Sequence, residues 1–134
     1  MAKYAKKLIG IEIIPDAVKN AAANAARAGI ENAEFICADA GKAALELAAR
    51  GIRPDVIIVD PPRKGITDDV ISAISDMSPE RVVMISCNSS TASRDAKKLS
   101  EVGYTATKMQ AVDMFARTGH VECVVCLTRS DKAT

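Results

Sequence analysis

The sequence predicts an α/β fold whose sheet is mostly parallel and ends in an antiparallel hairpin. Short apolar runs rich in Val and Ile alternate with segments of about ten residues that have helical character. This alternation is typical of parallel strands joined by right-handed crossover helices. The last connection differs, because only residues 113–120 separate the final two apolar runs. So short a link cannot hold a crossover helix, and it predicts antiparallel pairing.

The first three strands and two helices follow from local signals in the N-terminal half. Asp16 is placed to cap the first helix, and Gly29 and Gly51 stand where the two helices should stop. The run Asp55–Val59 is rich in β-branched residues, which favour a strand. The predicted strands are Leu8–Ile13, Ala33–Cys37 and Asp55–Val59, and the predicted helices are Ala17–Ala28 and Ala40–Arg50.

The C-terminal half continues the alternation with two more helices and three more strands. Thr67 or Asp68 is suited to open the third helix, and one residue among 89–91 to cap the fourth, which ends before Gly103. The third helix should run to about Met77. The predicted strands are Arg81–Ser86, Tyr104–Val112 and Val121–Thr128.

Composition limits the class of protein. The chain has 134 residues, of which 49% are hydrophobic and 26% charged, which suits one globular domain over residues 1–129 with a frayed tail at 130–134. No apolar run approaches the roughly 20 residues that span a bilayer, so no membrane partner and a cytoplasmic location are expected. The net charge of +1 makes no electrostatic case for nucleic acid, so an RNA partner would need a local basic patch.

Three short motifs follow one another at predicted strand ends. They are Asp60–Gly65, Ser86–Asn88 and Gly119–Glu122, and they contribute a carboxylate, a thiol and a second carboxylate. In open α/β sheets, ligands bind beyond the carboxyl ends of the strands, where Glu12 and Asp39 also fall. These groups form a candidate acid, nucleophile and base at one edge of the sheet.

The same motifs resemble the S-adenosylmethionine-dependent RNA (uracil-5)-methyltransferases, of the type that acts on 23S rRNA. The resemblance covers nearly the whole chain and is carried by three patterns in the same order. They are D-P-P-R-K-G at residues 60–65, S-C-N followed by T-x-x-R-D at 86–95, and D-M-F-x-x-T-x-H-V-E at 113–122. The resemblance implies a Rossmann-like methyltransferase sheet with an antiparallel last strand, S-adenosylmethionine as cofactor, and RNA, in particular rRNA, as substrate.

The resemblance also implies roles for individual residues. Cys87 resembles the nucleophile that adds to uracil C6, and Glu122 the base that later removes the C5 proton. Glu12 resembles the acid that holds the cofactor ribose, and Asp39 the residue near the adenine. Asp60 resembles the acid of the active-site loop that orients cofactor or base. Covalent addition of this kind splits one difficult step into easier ones.

Substrate contacts are expected at two further positions. Arg63 is a plausible phosphate contact, and Asn88 lies next to the nucleophile. Ser89 and Ala116 stand where the family commonly has proline, which affects the loops beside the catalytic residues but removes no reacting group.

One family feature is absent from the sequence, which contains no G-x-G. The family's first strand and its glycine loop are therefore expected to precede Met1, which makes this chain the C-terminal part of the catalytic domain. That strand would lie between Leu8–Ile13 and Asp55–Val59. Its loss would leave two unpaired edges, which either pair directly or bind a second chain, as in a homodimer.

Less specific interpretations remain open for single residues. Cys87 is a possible buried apolar residue, Glu122 a solvated strand-start charge, and His120 a structural residue. Asp39 can cap the helix that follows it, and Arg63 can belong to a solvated loop.

The other three cysteines are predicted to fill the core. Cys123 and Cys126 stand at i and i+3 in a strand and face opposite sides, so no metal site is predicted. Cys37 is assigned in the same way.

Three functions therefore compete. The first is the catalytic part of an RNA uracil C5 methyltransferase. The second is an inert folded fragment of that family, with weak or no cofactor binding. The third is another base or amino-group methyltransferase, since D-P-P-x occurs in those too. Cys87 with Glu122 argues against the third, because amino methylation needs no thiol nucleophile.

Overall fold

A computed structural model describes residues 1–114, 116–118 and 121–130. His120 and its neighbour Gly119, both part of the third motif, and Phe115 lie outside the described residues. A short 3₁₀ turn covers Ala2–Tyr4. The strands are β1 (Leu8–Glu12), β2 (Ala33–Cys37), β3 (Val56–Val59), β4 (Arg81–Ser86), β5 (Tyr104–Val112) and β6 (Glu122–Arg129). The helices are α1 (Pro15–Arg27), α2 (Ala40–Ala49), α3 (Asp68–Met77) and α4 (Ser89–Glu101).

The strands form two sheets, and their pairing confirms the predicted fold class. β1 and β2 pair in parallel, as do β3 and β4. In the larger sheet, with the order β3-β4-β6-β5, β6 runs antiparallel to both of its neighbours. The predicted hairpin between the last two strands is therefore present, and β6 lies between β5 and β4.

Two alternatives were predicted for the open edges of β1 and β3, and the first, direct pairing of the two strands, is wrong. In the described part of the chain they belong to different sheets and share no ladder. Helices α2 and α3 hold the two sheets together instead, because Ile9 and Ile11 of β1 and Ile57 of β3 pack against one cluster. Val56 and Ile58 of β3 remain 43% and 42% exposed.

The main core lies between the larger sheet and helices α3 and α4. Its strand side chains come from one face, where Val82 pairs with Leu127 and Met84 with Val125. This packing fixes the carboxyl end of β4, which is where the candidate thiol follows.

Two local predictions differ from the structure. Helix α1 begins at Pro15 with Ile14 as its N-cap, rather than after an Asp16 cap. Proline suits the first helical position, because its fixed φ is already helical and its missing N–H would have no partner there. Cys37 is exposed at the end of the two-stranded sheet, so its assignment to the core is wrong.

The C-terminal end of the described chain is held by Ser130. Ser130, assigned to the tail, donates its N–H to Gly103 O and shares a hydroxyl hydrogen bond of 2.7 Å with Thr105. Residues 131–134 lie outside the described part of the chain. None of the helices in the described ranges is long and apolar enough to cross a membrane.

Candidate active site

An open cleft of about 720 Å³ lies beyond the carboxyl end of β4. Its walls come from the start of α4, the β5–β6 hairpin and the loop of residues 60–65, which we call the proline loop. A cleft of this size can hold a ligand as large as a nucleoside. The lining residues are Arg63, Cys87, Asn88, Ser89, Met109, Ala111, Val121 and Cys123.

The turn between β4 and α4 holds Cys87 at the start of a helix. Ser86 is buried, and its hydroxyl accepts the N–H of Asn88 at 3.2 Å and donates to the Asn88 carbonyl at 3.0 Å. Asn88 caps α4, since its Oδ1 accepts the N–H groups of Ser90 and Thr91. Unpaired N–H groups at a helix N-terminus favour negative charge nearby, which suits a reacting thiolate. The cap uses the Asn88 Oδ1, and no described residue bonds its Nδ2, which can therefore donate to a ligand.

Glu122 is the first residue of β6, which pairs with the strand that leads to this thiol. The β4–β6 ladder ends with Ser86 opposite Cys123, so continuing it by one residue sets Cys87 opposite Glu122. Glu122 is partly buried and is not among the described residues that line the cleft. Strand alternation directs it to the face opposite Cys123, which does line the cleft. The two predicted groups are therefore adjacent in register, but among the described residues Cys87 lines the cleft and Glu122 does not.

The three carboxylates predicted at the cofactor site are exposed: Glu12 ends β1, Asp39 follows β2 and Asp60 follows β3. Glu12 Oε1 accepts the Ile14 N–H at 2.9 Å, and Asp39 Oδ1 accepts the Lys42 N–H at 3.1 Å. Asp39 is therefore the N-cap of α2, as its alternative interpretation allowed. Within the described residues, Glu12, Asp39 and Asp60 lie outside the cleft that holds the thiol.

These carboxylates suit a ligand with hydroxyl and amino donors. Glu12 and Asp39 each keep a second oxygen without a hydrogen bond in the described part of the chain. Ionised carboxylates only accept hydrogen bonds, so they match ribose hydroxyls and an adenine amino group.

The proline loop carries Arg63 to the mouth of the cleft. Gly65 donates its N–H to the Pro62 carbonyl at 2.8 Å, which closes a turn. Arg63 is exposed, and a guanidinium there is well placed for a phosphate. Two residues of α4, Arg94 and Asp95, bind the end of this loop, and sequence reasoning did not single them out as site residues.

Comparison with protein families gives a match over almost the whole chain. The profile of the family described as tRNA (Uracil-5-)-methyltransferase matches residues 1–130. An uncharacterized RNA methyltransferase of Clostridium acetobutylicum is 46% identical over 132 residues, covering 98% of this chain and 29% of the relative. One of Lactiplantibacillus plantarum is 48% identical, covering 96% and 28%. The chain therefore spans less than a third of the length of these relatives.

Solved structures share the same fold. A tRNA (uracil-54, C5)-methyltransferase of Pyrococcus abyssi, in complex with S-adenosyl-L-homocysteine, superposes with a TM-score of 0.79 at 32% identity. The superposition covers 95% of this chain and 30% of that one. An rRNA methylase of Streptococcus thermophilus has a TM-score of 0.72 at 16% identity, covering 96% and 76%, which indicates similarity of fold alone.

Proposed function

Because the chain belongs to the tRNA (uracil-5-)-methyltransferase family, we propose that it forms the catalytic portion of an enzyme that methylates uridine C5 in RNA. The observation that carries this proposal is the position of Cys87, in a cleft at the start of α4 with Glu122 next to it in register. The activity of the whole protein is part of the proposal, since the chain covers 29% of a typical relative.

The proposed chemistry begins at the thiol. Cys87 Sγ, as thiolate, bonds to uracil C6, and the C5–C6 electron pair moves toward the C4 carbonyl as an enolate. Bound S-adenosylmethionine would supply an electrophilic methyl group to C5. Glu122 then takes the C5 proton, and the electron pair of the C5–H bond re-forms the C5=C6 double bond and expels the thiolate from C6.

Other residues of this chain would bind rather than react. Glu12 would hold the ribose hydroxyls of the cofactor, and Asp39 would lie near its adenine. Asp60 would orient cofactor or base from the proline loop. Arg63 would contact an RNA phosphate, and Asn88 Nδ2 would donate to the uracil.

For the RNA target we propose rRNA, as the sequence resemblance implies, and with it a cytoplasmic location. The family description and the Pyrococcus abyssi structure both name tRNA, so tRNA is the direct competitor. Methyl transfer to purified rRNA and tRNA, measured side by side, decides between the two.

We propose that the chain acts as one catalytic unit over residues 1–129 and that its open sheet edges support a homodimer. The exposed Val56 and Ile58 of β3 supply apolar surface next to unpaired backbone groups. Such edges favour pairing with another chain.

Trapping with 5-fluorouracil RNA tests the enzymatic proposal. Fluorine cannot leave C5 as a proton does, so a competent site stays bound to the RNA after thiol addition and methyl transfer. We expect mass spectrometry to find methylated 5-fluorouridine linked to Cys87. Absence of any adduct, together with no cofactor binding by calorimetry, would instead favour the inert fragment.

Two cysteine variants control that experiment. Cys87→Ser should form no adduct. Cys37→Ser removes the most exposed of the four thiols, and it should react like the wild type. An adduct that persists in Cys87→Ser would show that the wrong thiol has been assigned.

A further inference from the structure

We propose that Arg94 and Asp95 form a positioning clamp that fixes the proline loop against the helix that carries the nucleophile. This inference rests on the proposed function, because it assigns the clamp to the same site. Arg94 and Asp95 contact neither the cleft nor, in the proposed mechanism, the substrate. Their expected effect is on the relative placement of Arg63 and Cys87.

Asp95 is a fully buried carboxylate in the second turn of α4. Its exposed fraction is 0%, and only Ser86 joins it as a buried polar residue in the described chain. Burying a charge is costly unless it is paired and hydrogen-bonded. Asp95 Oδ2 accepts the Ile66 N–H at 2.7 Å, and Oδ1 accepts Arg94 Nε at 3.0 Å and Nη2 at 2.7 Å. The carboxylate therefore ties the exit of the proline loop to α4.

Arg94 adds a second tie to the same loop. Its Nη2 donates to the Lys64 carbonyl at 2.5 Å while also pairing with Asp95. Between the two tied residues lies Gly65, buried, with φ at +90°. A Cβ on Gly65 would overlap Arg94 Nη2 and Asp95 Oδ2, so glycine is required where the loop meets the clamp.

The clamp connects two walls of the cleft. The proline loop bears Arg63, and the first turn of α4 follows Cys87 and Asn88, all three of which line the cleft. Asp95 is buried while the Arg94 side chain is 49% exposed, and burying a carboxylate for an ion pair contributes little stability compared with well-packed apolar residues, so stability alone is a weak reason for this pair. Holding a phosphate contact and a nucleophile at a fixed separation gives the pair a function, since catalysis is sensitive to misplacement of about 1 Å.

Asp95→Asn and Arg94→Lys test the clamp in the full chain. Asn can accept the Ile66 N–H but cannot form an ion pair with Arg94. Lys lacks the planar guanidinium that donates to both Lys64 O and Asp95. For protein that circular dichroism shows to be folded, we expect the rate of adduct formation with 5-fluorouracil RNA to fall by about tenfold to hundredfold. Trypsin cleavage after Lys64 should become faster, because the loop is released.

Lys98→Gln is the matched control. It breaks the 2.6 Å ion pair between Lys98 and Asp68, which joins α4 to α3 and leaves the clamp intact. We expect its adduct rate and its trypsin cleavage after Lys64 to match the wild type. If Asp95→Asn does not fold, Arg94→Lys, whose side chain is 49% exposed, decides in its place.

The outcomes separate positioning from mere stabilisation. Clamp variants with a lower melting temperature but wild-type adduct rate and wild-type trypsin resistance would overturn the proposal. If wild-type protein forms no adduct, the proposed function fails. The clamp is then tested by iodoacetamide labelling of the same variants. A changed rate of Cys87 labelling relative to Cys37 would support the clamp, and an unchanged ratio would overturn it.

Discussion

The segment β1–α1–β2 and the segment from β4 to β6 bury their side chains very differently. Residues 8–37 are all described, and Ala25, at 9% exposure, is the one residue among them that is buried. The second segment contains most of the largest fully buried side chains of the described chain, including Met84, Leu99 and Leu127. The proposed nucleophile therefore follows a tightly packed strand, whereas Glu12 ends a loosely packed strand and Asp39 follows another.

This difference has a consequence for the site. The turn that holds Cys87 is built by buried groups such as Ser86 and is already formed in this chain. Of the carboxylates proposed for the cofactor, Glu12 ends β1 and Asp39 follows β2, and none of the side chains of these two strands is fully buried. We therefore expect thiol chemistry to depend less on further polypeptide or ligand than cofactor binding does.

Truncating one side chain in each of the two segments should give the largest difference in the free energy of unfolding. Leu127→Ala removes a fully buried side chain from the main core and should lower the free energy of unfolding by about 2–5 kcal/mol. Ile11→Ala, in partly exposed β1, should cost only about 1 kcal/mol. Urea titration of both variants checks this order. Equal losses would mean that the two segments are packed alike.

Tyr104→Phe should show a smaller, pH-dependent effect in the packed segment. The Tyr104 hydroxyl donates to the Pro79 carbonyl at 2.9 Å, so its removal should cost about 1 kcal/mol at neutral pH. Burial raises the pKa of Tyr104, so the folded state favours the neutral phenol. That contribution is complete below the unfolded pKa of about 10 and is lost as pH rises through the folded value.

Urea midpoints at rising alkaline pH test this sign. The stability gap between wild type and Tyr104→Phe should narrow as pH increases beyond about 10. A gap that widens in that range would contradict the assignment.

Two substitutions of Asp39, which follows the loosely packed β2, can distinguish its role as a helix cap from its proposed role in cofactor binding. Asn caps helices as well as Asp does, so Asp39→Asn should keep wild-type stability, while Asp39→Ala should lose about 1 kcal/mol. Isothermal calorimetry with S-adenosylmethionine should show weaker binding for both variants, because both remove the charge. Unchanged affinity in Asp39→Asn would reduce Asp39 to a helix cap.

Ile58→Lys should have the smallest effect on folding. The side chain is 42% exposed, so unfolding free energy should change by no more than about 0.5 kcal/mol. A charge on an edge strand opposes pairing between chains, so sedimentation should show the variant as a monomer where the wild type is a dimer. Dimerisation that survives the change would move the interface away from β3.

Most of the fold follows from local patterns in the sequence. Each observed strand and helix lies within about two residues of its prediction, because β-branched runs and helix stops are short-range signals. Cys37 could not be placed by such signals, since its exposure depends on how far the two-stranded sheet extends beyond its helices. The gap between β1 and β3 likewise depends on packing by α2 and α3.

The site could be predicted only in part. Cys87, Asn88 and Arg63 line one cleft as expected of strand-end residues, while Glu122 is adjacent to Cys87 only in the register of β6 and does not line the cleft in the described residues. Arg94 and Asp95 belong to the T-x-x-R-D pattern, but no role was predicted for them, because charged residues on a helix are usually solvated. A signal existed, however, since Asp95 falls between Ala92 and Leu99 on the apolar stripe of α4.

The fate of ordinary uridine in a Glu122→Gln variant tests the central claim most directly. If Cys87 adds to C6 and Glu122 removes the C5 proton, this variant should add, methylate and then stall. With unsubstituted RNA and S-adenosylmethionine, mass spectrometry should find the methylated base covalently attached to Cys87, with turnover lost. If the Glu122→Gln variant turns over at the wild-type rate and no adduct is trapped, the account is contradicted.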